Sequence, residues 1–439
     1  MTAFATRTTE SDGSEALSPP SALTTSLAQQ YRSVRRLSER ICKPLEMEDF
    51  VVQSMPDCSP AKWHLAHTSW FFETFVLKAV DRGYESPHPQ YDFLFNSYYN
   101  SVGDRHCRAK RGLVSRPTVP QTLAYRRHVD EHMLQFLEDG PEDRVAGMTP
   151  IVTLGLHHEQ QHQELMLTDL KHMFSENPLL PAYVAAGPRP PTSAPAPALA
   201  WIPFDAGIRE IGFAGDGFSF DNEGPRHRVF LEPYQLGSRL VTCGEYSEFM
   251  EDGGYTRPQF WLSEGWNRVA AKQMSAPLYW ERRDGVWCHY TLSGLQPVNP
   301  DEPVCHVSMF EADAYASWAG ARLATEFEWE AAAEGLPVAG NFVDSGLFHP
   351  AVAPGSPGLT QMYGDVWEWT RSSYDPYPGY SPAPGALGEY NGKFMCNQYT
   401  LRGGSCATSL SHIRPTYRNF FPADAAWQFM GIRLAKDLS

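Results

Sequence analysis

The chain has 439 residues, 42% of them hydrophobic and 20% charged, and a formal net charge of −15. That length accommodates two or three domains with full cores. The acidic balance, with no basic arm or Lys/Arg-rich stripe, argues against a general nucleic-acid binder, and no apolar run approaches the ~18 residues that span a bilayer.

Residues 1–25 are polar and rich in Ser, Thr and Pro, without the apolar core of an export signal, and read as a disordered tail. From 26 to 177 the pattern is helical. Ser26–Ile41, Pro60–Ala79, Thr122–Leu137 and Thr149–Met173 each repeat apolar residues at three- and four-residue spacing, which predicts a four-helix bundle. A long irregular connection, Asp81 to Pro120, carries Tyr, Asn, Arg and His, and connections of that length inside a compact domain are usually functional or disordered.

Residues 178–200 form a Pro-rich linker. Beyond Trp201, short strand-like pieces (Arg228–Leu231, Gln235–Ser238) alternate with Gly/Pro/Asn turns, and two helical stretches stand out, Cys243–Asp252 and Met309–Gly320. The second half, 201–439, therefore reads as a loop-rich α+β domain, giving the chain an α plus α+β class. Eight scattered cysteines with no C-x-x-C pair, in a chain without an export signal, point to reduced, mostly buried thiols and a cytoplasmic location.

The most informative run is His158-Glu159-Gln160-Gln161-His162. On a helix, His158 and His162 project from one face about a turn apart and can grip one transition metal. The run also matches H-E-x-x-H, the zinc-hydrolase pattern in which the Glu is general base. Its metzincin extension fails, because Leu165 and Thr168 stand where Gly and His are required. The same spacing recurs at His128 and His132, in a stretch full of charge where solvation is the expected fate. Leu154, Leu156, Leu165 and Met166 flank the second pair instead, and buried imidazoles need partners. A third ligand is offered by Trp63-His64-Leu65-Ala66-His67, and spacing does not choose between His64 and His67. Either gives an all-histidine triad, which suits Fe(II) or Zn(II) over Mg or Ca. Neutral ligands leave the metal's charge available to anionic substrates such as a thiolate.

The stretch Ala61 to Glu73 (Ala-Lys-Trp-His-Leu-Ala-His-Thr-Ser-Trp-Phe-Phe-Glu), together with the 158–162 run, resembles the DinB-like bundle of the ergothioneine sulfoxide synthases. The second half resembles the formylglycine-generating-enzyme (sulfatase-modifying factor) domain fused to it in that family, a C-type-lectin-like α+β fold. The matching segments include Asp221 to Val229, Pro303 to Ser308, Ala321 to Glu330, Gly364-Asp365-Val366-Trp367-Glu368-Trp369-Thr370, Arg402-Gly403-Gly404-Ser405 and Gly431-Ile432-Arg433.

The resemblance implies an Fe(II)-dependent enzyme that uses O2 to join cysteine or γ-glutamylcysteine to the imidazole C2 of hercynine, with oxidation of the sulfur. It implies His67, His158 and His162 as the metal ligands. It implies Tyr98 and Tyr99 as proton donors that steer oxygen chemistry to C–S coupling, with Tyr374, Tyr377 and Tyr380 as candidates from other branches. Arg108 and Arg111 match the pair that holds the thiol substrate's carboxylate. Gln161 is placed to bond the hercynine imidazole, Asn419 to bind a carboxylate, and Phe420 and Phe421 to pack near the trimethylammonium. The copper-binding cysteines of formylglycine-generating enzymes align with Thr408 and Ile413, so that chemistry is expected to be absent. The competing readings are a zinc hydrolase, a DinB-type thiol transferase, or a lectin-like binding module on an inert bundle.

Overall fold

A computed structural model describes residues 26–185 and 195–438. The expected N-terminal tail lies outside the described residues. The chain folds into a helical domain followed by a sheet-containing domain, a mixed α plus α+β architecture.

Four helices build the first domain: Leu27–Cys42, Ala61–Phe72, Val119–Asp139 and Glu142–Ser175. The first and third start at capping boxes made by Ser26 with Gln29 and Thr118 with Gln121, the third at Val119 rather than the expected Thr122. The second continues through a π-helical turn, Glu73–Leu77, whose Glu73 carboxylate accepts bonds from Tyr84 (2.9 Å) and Tyr125 (2.5 Å). The fourth begins seven residues before the expected Thr149, because Pro150 is carried inside the helix rather than at its start. Proline removes one backbone donor there, and the 34-residue helix carries it in a stretch where a Cβ at Gly147 would meet nothing. Further along, Gly155 lets the helix approach the Ala61–Phe72 helix closely. A Cβ at Gly155 would lie 2.5 Å from the Phe72 ring and 2.8 Å from that of Phe71.

A buried charge cluster locks the rotation of the fourth helix. Glu159 accepts from Arg126 Nη2 (2.7 Å), Arg35 Nη1 (2.9 Å) and Ser38 Oγ (2.5 Å), all buried. Arg35 also bonds Asp130 (2.6 Å), which accepts from Tyr31 (2.7 Å). Arg126, in the charged stretch around His128 and His132, is buried because its helix turns that side toward Glu159. His128 and His132 are half-buried, their rings 4.3 Å apart, with His132 Nδ1 bonded to the carbonyl of His128.

The second domain contains two four-stranded sheets. In one, Tyr234–Gly237 pairs between Trp201–Phe204 and Leu434–Asp437, and Arg322–Leu323 closes the far edge. In the other, Asn419–Phe421, Tyr399–Arg402, Trp367–Ser373 and Met430–Gly431 lie in that order, the last pair parallel. A hairpin (Gly207–Ile211, His227–Leu231) and a meander (Trp280–Arg283, Val286–Thr291, Gly294–Pro297) flank them. Helices Cys243–Glu251, Ser263–Lys272, Met309–Trp318 and Glu326–Ala333 pack around the sheets.

Buried ion pairs pin the recurrent motifs. Arg433 is bidentate to Glu368, which also accepts from Trp329 Nε1 (2.8 Å). Arg402 bonds Glu330 (2.7 Å), and Arg418 is bidentate to Glu326. No disulfide forms among the described residues, and Cys107 and Cys396 are the exposed cysteines. Among the described residues, no helix is long and apolar enough to cross a membrane.

Glu159→Gln removes the charge that both arginines share and should cost about 3–5 kcal/mol, read from urea unfolding. Burial alone would raise the Glu159 pKa, but Arg126, Arg35 and Ser38 hold it down to about 2, against an ordinary 4.5. Its stabilisation is therefore complete above about pH 4.5 and is lost as pH falls toward 2. The variant should lose that arm of the acid-unfolding curve, and an unchanged curve would contradict the assignment.

Candidate functional site

The Glu142–Ser175 helix presents His158 and His162 toward His67 on the Ala61–Phe72 helix. One ring nitrogen from each of the three lies within 4.8 Å of the others, and all three residues are buried. His67 Nε2 and His158 Nε2 are 3.2 Å apart. Two nitrogens bound at right angles about 2.1 Å from one metal stand about 3 Å apart, so this spacing fits shared coordination.

Hydrogen bonds decide which nitrogens are free. His67 Nδ1 donates to the carbonyl of Phe95 (2.6 Å), leaving Nε2 with its lone pair. His64 is not at the cluster's centre. Its Nε2 meets Asp169 Oδ2 (3.1 Å) and its Nδ1 meets His162 Nδ1 (2.8 Å). In the chain that satisfies every group, His64 donates to Asp169 and accepts from His162, leaving His162 Nε2 free. Burial, with the neighbouring imidazoles, depresses the pKa of His67 and His162 well below the ordinary value, and burial brings His158 down to about 4. Three neutral imidazoles with lone pairs in a dry pocket fit a borderline divalent metal.

Trp63 stacks on His67 (centroids 4.6 Å, 11°), and the Arg111 guanidinium lies 3.3 Å over Trp63. Arg111 is buried and bonds Ser59 Oγ (2.9 Å) and Ser97 Oγ (3.2 Å). Phe71 covers His158 (4.8 Å).

Glu159, the base of the hydrolase reading, does not serve this cluster. Both its oxygens are consumed by Arg35, Arg126 and Ser38, and a carboxylate held near pKa 2 is a poor general base.

A cavity of about 740 Å³ opens between the two domains. Gln161 and Leu165 line it from the fourth helix, on the stripe that also carries His158 and His162. Met55, Asp57, Tyr98 and Arg108 line it from the bundle's loops. The second domain contributes Tyr390, Phe394, Tyr417, Asn419, Phe420, Phe421 and Trp427. The histidines lie behind this lining rather than in it.

The two loop tyrosines part company. Asn96 bonds the backbone of Tyr99 in both directions (3.0 and 3.2 Å), a turn that sends consecutive side chains opposite ways. Tyr98 faces the cavity, its hydroxyl 3.3 Å from Arg108 Nη1. Tyr99 is buried against Trp70, Phe71 and Phe75 and does not line the cavity. Arg108 reaches the cavity, whereas Arg111 does not. Tyr374, Tyr377 and Tyr380 also stay outside it. Tyr374 bonds Asn222 and stacks behind Phe420 (4.2 Å), Tyr377 meets Arg402, and Tyr380 meets Asp221.

Sequence reading missed Tyr417, Tyr390 and Phe394. The Tyr417 hydroxyl accepts from Gln161 Nε2 (2.8 Å) and contacts His412 Nε2 (3.0 Å). It also missed Glu389, which accepts from the backbone of Asn100 and Ser101 (2.9 Å each), and Lys393, whose ammonium bonds the Tyr98 carbonyl. These clasp the Tyr98 loop from the other domain.

Residues 30–166 match the DinB superfamily, and residues 188–351 and 345–438 match the sulfatase-modifying factor enzyme 1-like domain. The hercynine oxygenase of Mycobacterium tuberculosis is 32% identical over 94% of this chain and 100% of its own length. That of Mycolicibacterium smegmatis is 33% identical over 91% of this chain and 96% of its own. The chain belongs to the hercynine oxygenase family. It is an oxygenase that joins a DinB-like helical domain to a formylglycine-generating-enzyme-like domain. The formylglycine-generating enzyme of Streptomyces coelicolor is 28% identical over 58% of this chain and 95% of its own. In this hercynine oxygenase family member, the position aligned above with a copper-binding cysteine is Thr408, bonded to Glu164 of the bundle (2.9 Å).

Substituting His67, His158 or His162 by Ala should remove the equivalent of divalent metal bound at this triad. His64→Gln, which breaks the Asp169–His64–His162 chain, should weaken divalent-metal affinity at the triad about 10–100-fold with the fold intact. Competition titration against a chelator measures both, and wild-type affinity in His64→Gln would refute the proton assignment.

Proposed function

We propose that this chain joins a small thiol, cysteine or γ-glutamylcysteine, to the imidazole C2 of hercynine and oxidises the bridging sulfur to the sulfoxide. The balance is hercynine C–H plus thiol S–H plus O2 giving the C–S(=O) product and one water. One C–S bond forms, the C–H and S–H bonds break, and O2 takes up four electrons. The observation that carries this reading is a triad of neutral imidazoles behind a two-domain cavity. A carboxylate-free donor set supports binding of an anionic thiolate, since the ligands contribute no negative charge.

His67, His158 and His162 would hold ferrous iron, which when bound supplies the one-electron chemistry that activates O2 and that zinc lacks. The remaining roles belong to side chains. Arg108 offers a guanidinium fork to the thiol substrate's carboxylate at the cavity wall. Gln161 gives one amide N–H to Tyr417, and its carbonyl oxygen can accept from the hercynine imidazole N–H. Phe420, Phe421, Phe394, Tyr390 and Trp427 form an aromatic wall suited to a trimethylammonium, and Asn419 beside them can donate to the hercynine carboxylate.

Tyr98 is the proton donor in this scheme, because its phenol faces the cavity next to a cation. Tyr99 and Arg111 act by position: Tyr99 backs the loop, and Arg111 fixes Ser59, Ser97 and the Trp63 ring that stacks on His67.

The test is anaerobic Fe(II) loading followed by O2 exposure with hercynine and each thiol, products being identified by mass. The expected product is the hercynyl thiol sulfoxide, and the preferred thiol gives the higher yield. Absence of hercynine-dependent O2 uptake would overturn the proposal. Tyr98→Phe should divert turnover to oxidised thiol without coupling, more than Tyr99→Phe does. Arg108→Lys, which loses the fork, should raise the thiol KM by about 10-fold or more while leaving that for hercynine largely unchanged.

A further inference from the structure

A second group of metal-ligand side chains converges in the other domain, outside the cavity described above. It consists of His289, Glu302 and His349, whose ligand atoms all lie within 4.8 Å of one another. His289 stands on the Val286–Thr291 strand, Glu302 in the segment before the Met309–Trp318 helix, and His349 in an irregular segment after the Val343–Ser345 turn. His349 Nε2 is 3.0 Å from Glu302 Oε2, and the two imidazole rings meet edge-on at 5.1 Å. His289 and Glu302 are buried, and His349 keeps 16% of its side chain exposed.

Each backbone is anchored independently of the cluster. His289 pairs with Trp280 on one side and Gln296 on the other. The Glu302 carbonyl accepts from Cys243 N (2.8 Å), and that of His349 accepts from Asn341 Nδ2 (2.8 Å). Three elements remote in sequence are thus held so that two imidazoles and one carboxylate share a small, largely dry volume. Preorganisation of this kind distinguishes a built site from a chance surface cluster.

We propose that His289, Glu302 and His349 bind a second divalent transition-metal ion. Two imidazoles and a carboxylate are a donor set for Zn(II) or Fe(II), and the partly exposed His349 edge leaves room for water as a further ligand. The ion is a staple. It ties the Trp280–Pro297 meander to the segments bearing Glu302 and His349. That meander receives the chain leaving the bundle, since Tyr183 N and Val184 N both donate to the Leu292 carbonyl. Residues Ala276, Pro277, Leu278, Tyr279 and Trp280, at its start, line the interdomain cavity, and Trp280 is the register partner of His289. Binding there stiffens one cavity wall without touching the histidine triad of the bundle.

The test uses the full chain stripped with a chelator and titrated with Zn(II), then with Co(II) as a spectroscopic probe. The wild-type chain should take up about two equivalents. The His158→Ala/His162→Ala variant should keep about one equivalent, with visible Co(II) absorption, and show a rise in Tm on Zn(II) addition. Adding Glu302→Gln should abolish both. A folded His158→Ala/His162→Ala chain that binds no metal overturns the proposal. Where Glu302→Gln fails to fold, the two-equivalent uptake of the wild-type chain against one in the bundle variant decides the matter alone. Loss of the bundle site, by contrast, would appear as a wild-type stoichiometry of one that His158→Ala/His162→Ala leaves unchanged.

Discussion

The orientation of one helix, Glu142–Ser175, is set by the buried Glu159 carboxylate, and the site depends on that orientation. A carboxylate with two arginines and a serine on it has little freedom to turn, because any rotation strands a charge in a low-dielectric interior. With Glu159 facing the Leu27–Cys42 and Val119–Asp139 helices, His158 and His162 must face the Ala61–Phe72 helix. Gly155 then allows that helix to come close enough for His67 to reach them. The charged residue between the histidines is thus a rotational stop, and the H-E-x-x-H resemblance to zinc hydrolases is one of letters rather than chemistry.

The same helix serves the second domain with a third stripe. His157 stacks on Phe218 (4.0 Å), Gln160 bonds Ser409 and Ser411, Gln161 bonds Tyr417, Thr168 accepts from Gln428, and Lys171 meets His306 (2.6 Å). These positions recur at three- and four-residue spacing, so they line one side of the helix. The cavity lies where Gln161 and Leu165 of this helix stand beside the loop of Tyr98 and Arg108. Metal ligands come from one domain and most of the aromatic wall from the other, so neither domain alone composes the site.

Much of this was legible in the sequence, and the gaps have physical causes. Apolar periodicity located the four helices, while the third starts at Val119 rather than Thr122 and the fourth at Glu142 rather than Thr149, with Pro150 carried inside it. The His-x-x-x-His pair was readable from spacing. The choice of His67 over His64 was not, because both are buried on one helix and differ in whether the far nitrogen meets the Phe95 carbonyl or Asp169. Tyr98 and Tyr99 could not be separated from sequence either, since the turn that divides them depends on Asn96. The Glu389 clasp on Ser101 joins residues 288 apart and leaves no local signal.

Glu164 joins the bundle to the second domain. Among the described residues, no cation bonds this buried carboxylate. It accepts instead from Trp367 Nε1 (2.7 Å), Ser405 Oγ (2.5 Å) and Thr408 Oγ1 (2.9 Å), and burial raises its pKa against the opposing pull of those bonds. Trp367 belongs to the Gly-Asp-Val-Trp-Glu-Trp motif, and Ser405 closes Arg-Gly-Gly-Ser. The neighbours of those residues, Glu368 and Arg402, hold the domain's own core through Arg433 and Glu330. One pair of motifs therefore does two jobs on opposite sides of a strand: ion pairs inward stabilise the sheet, and neutral donors outward grip the bundle. A cysteine at 408 would offer a weaker, longer hydrogen bond to Glu164 than a hydroxyl does. In this chain, the position that the resemblance gives to copper chemistry is spent on holding the two halves of the oxygenase together.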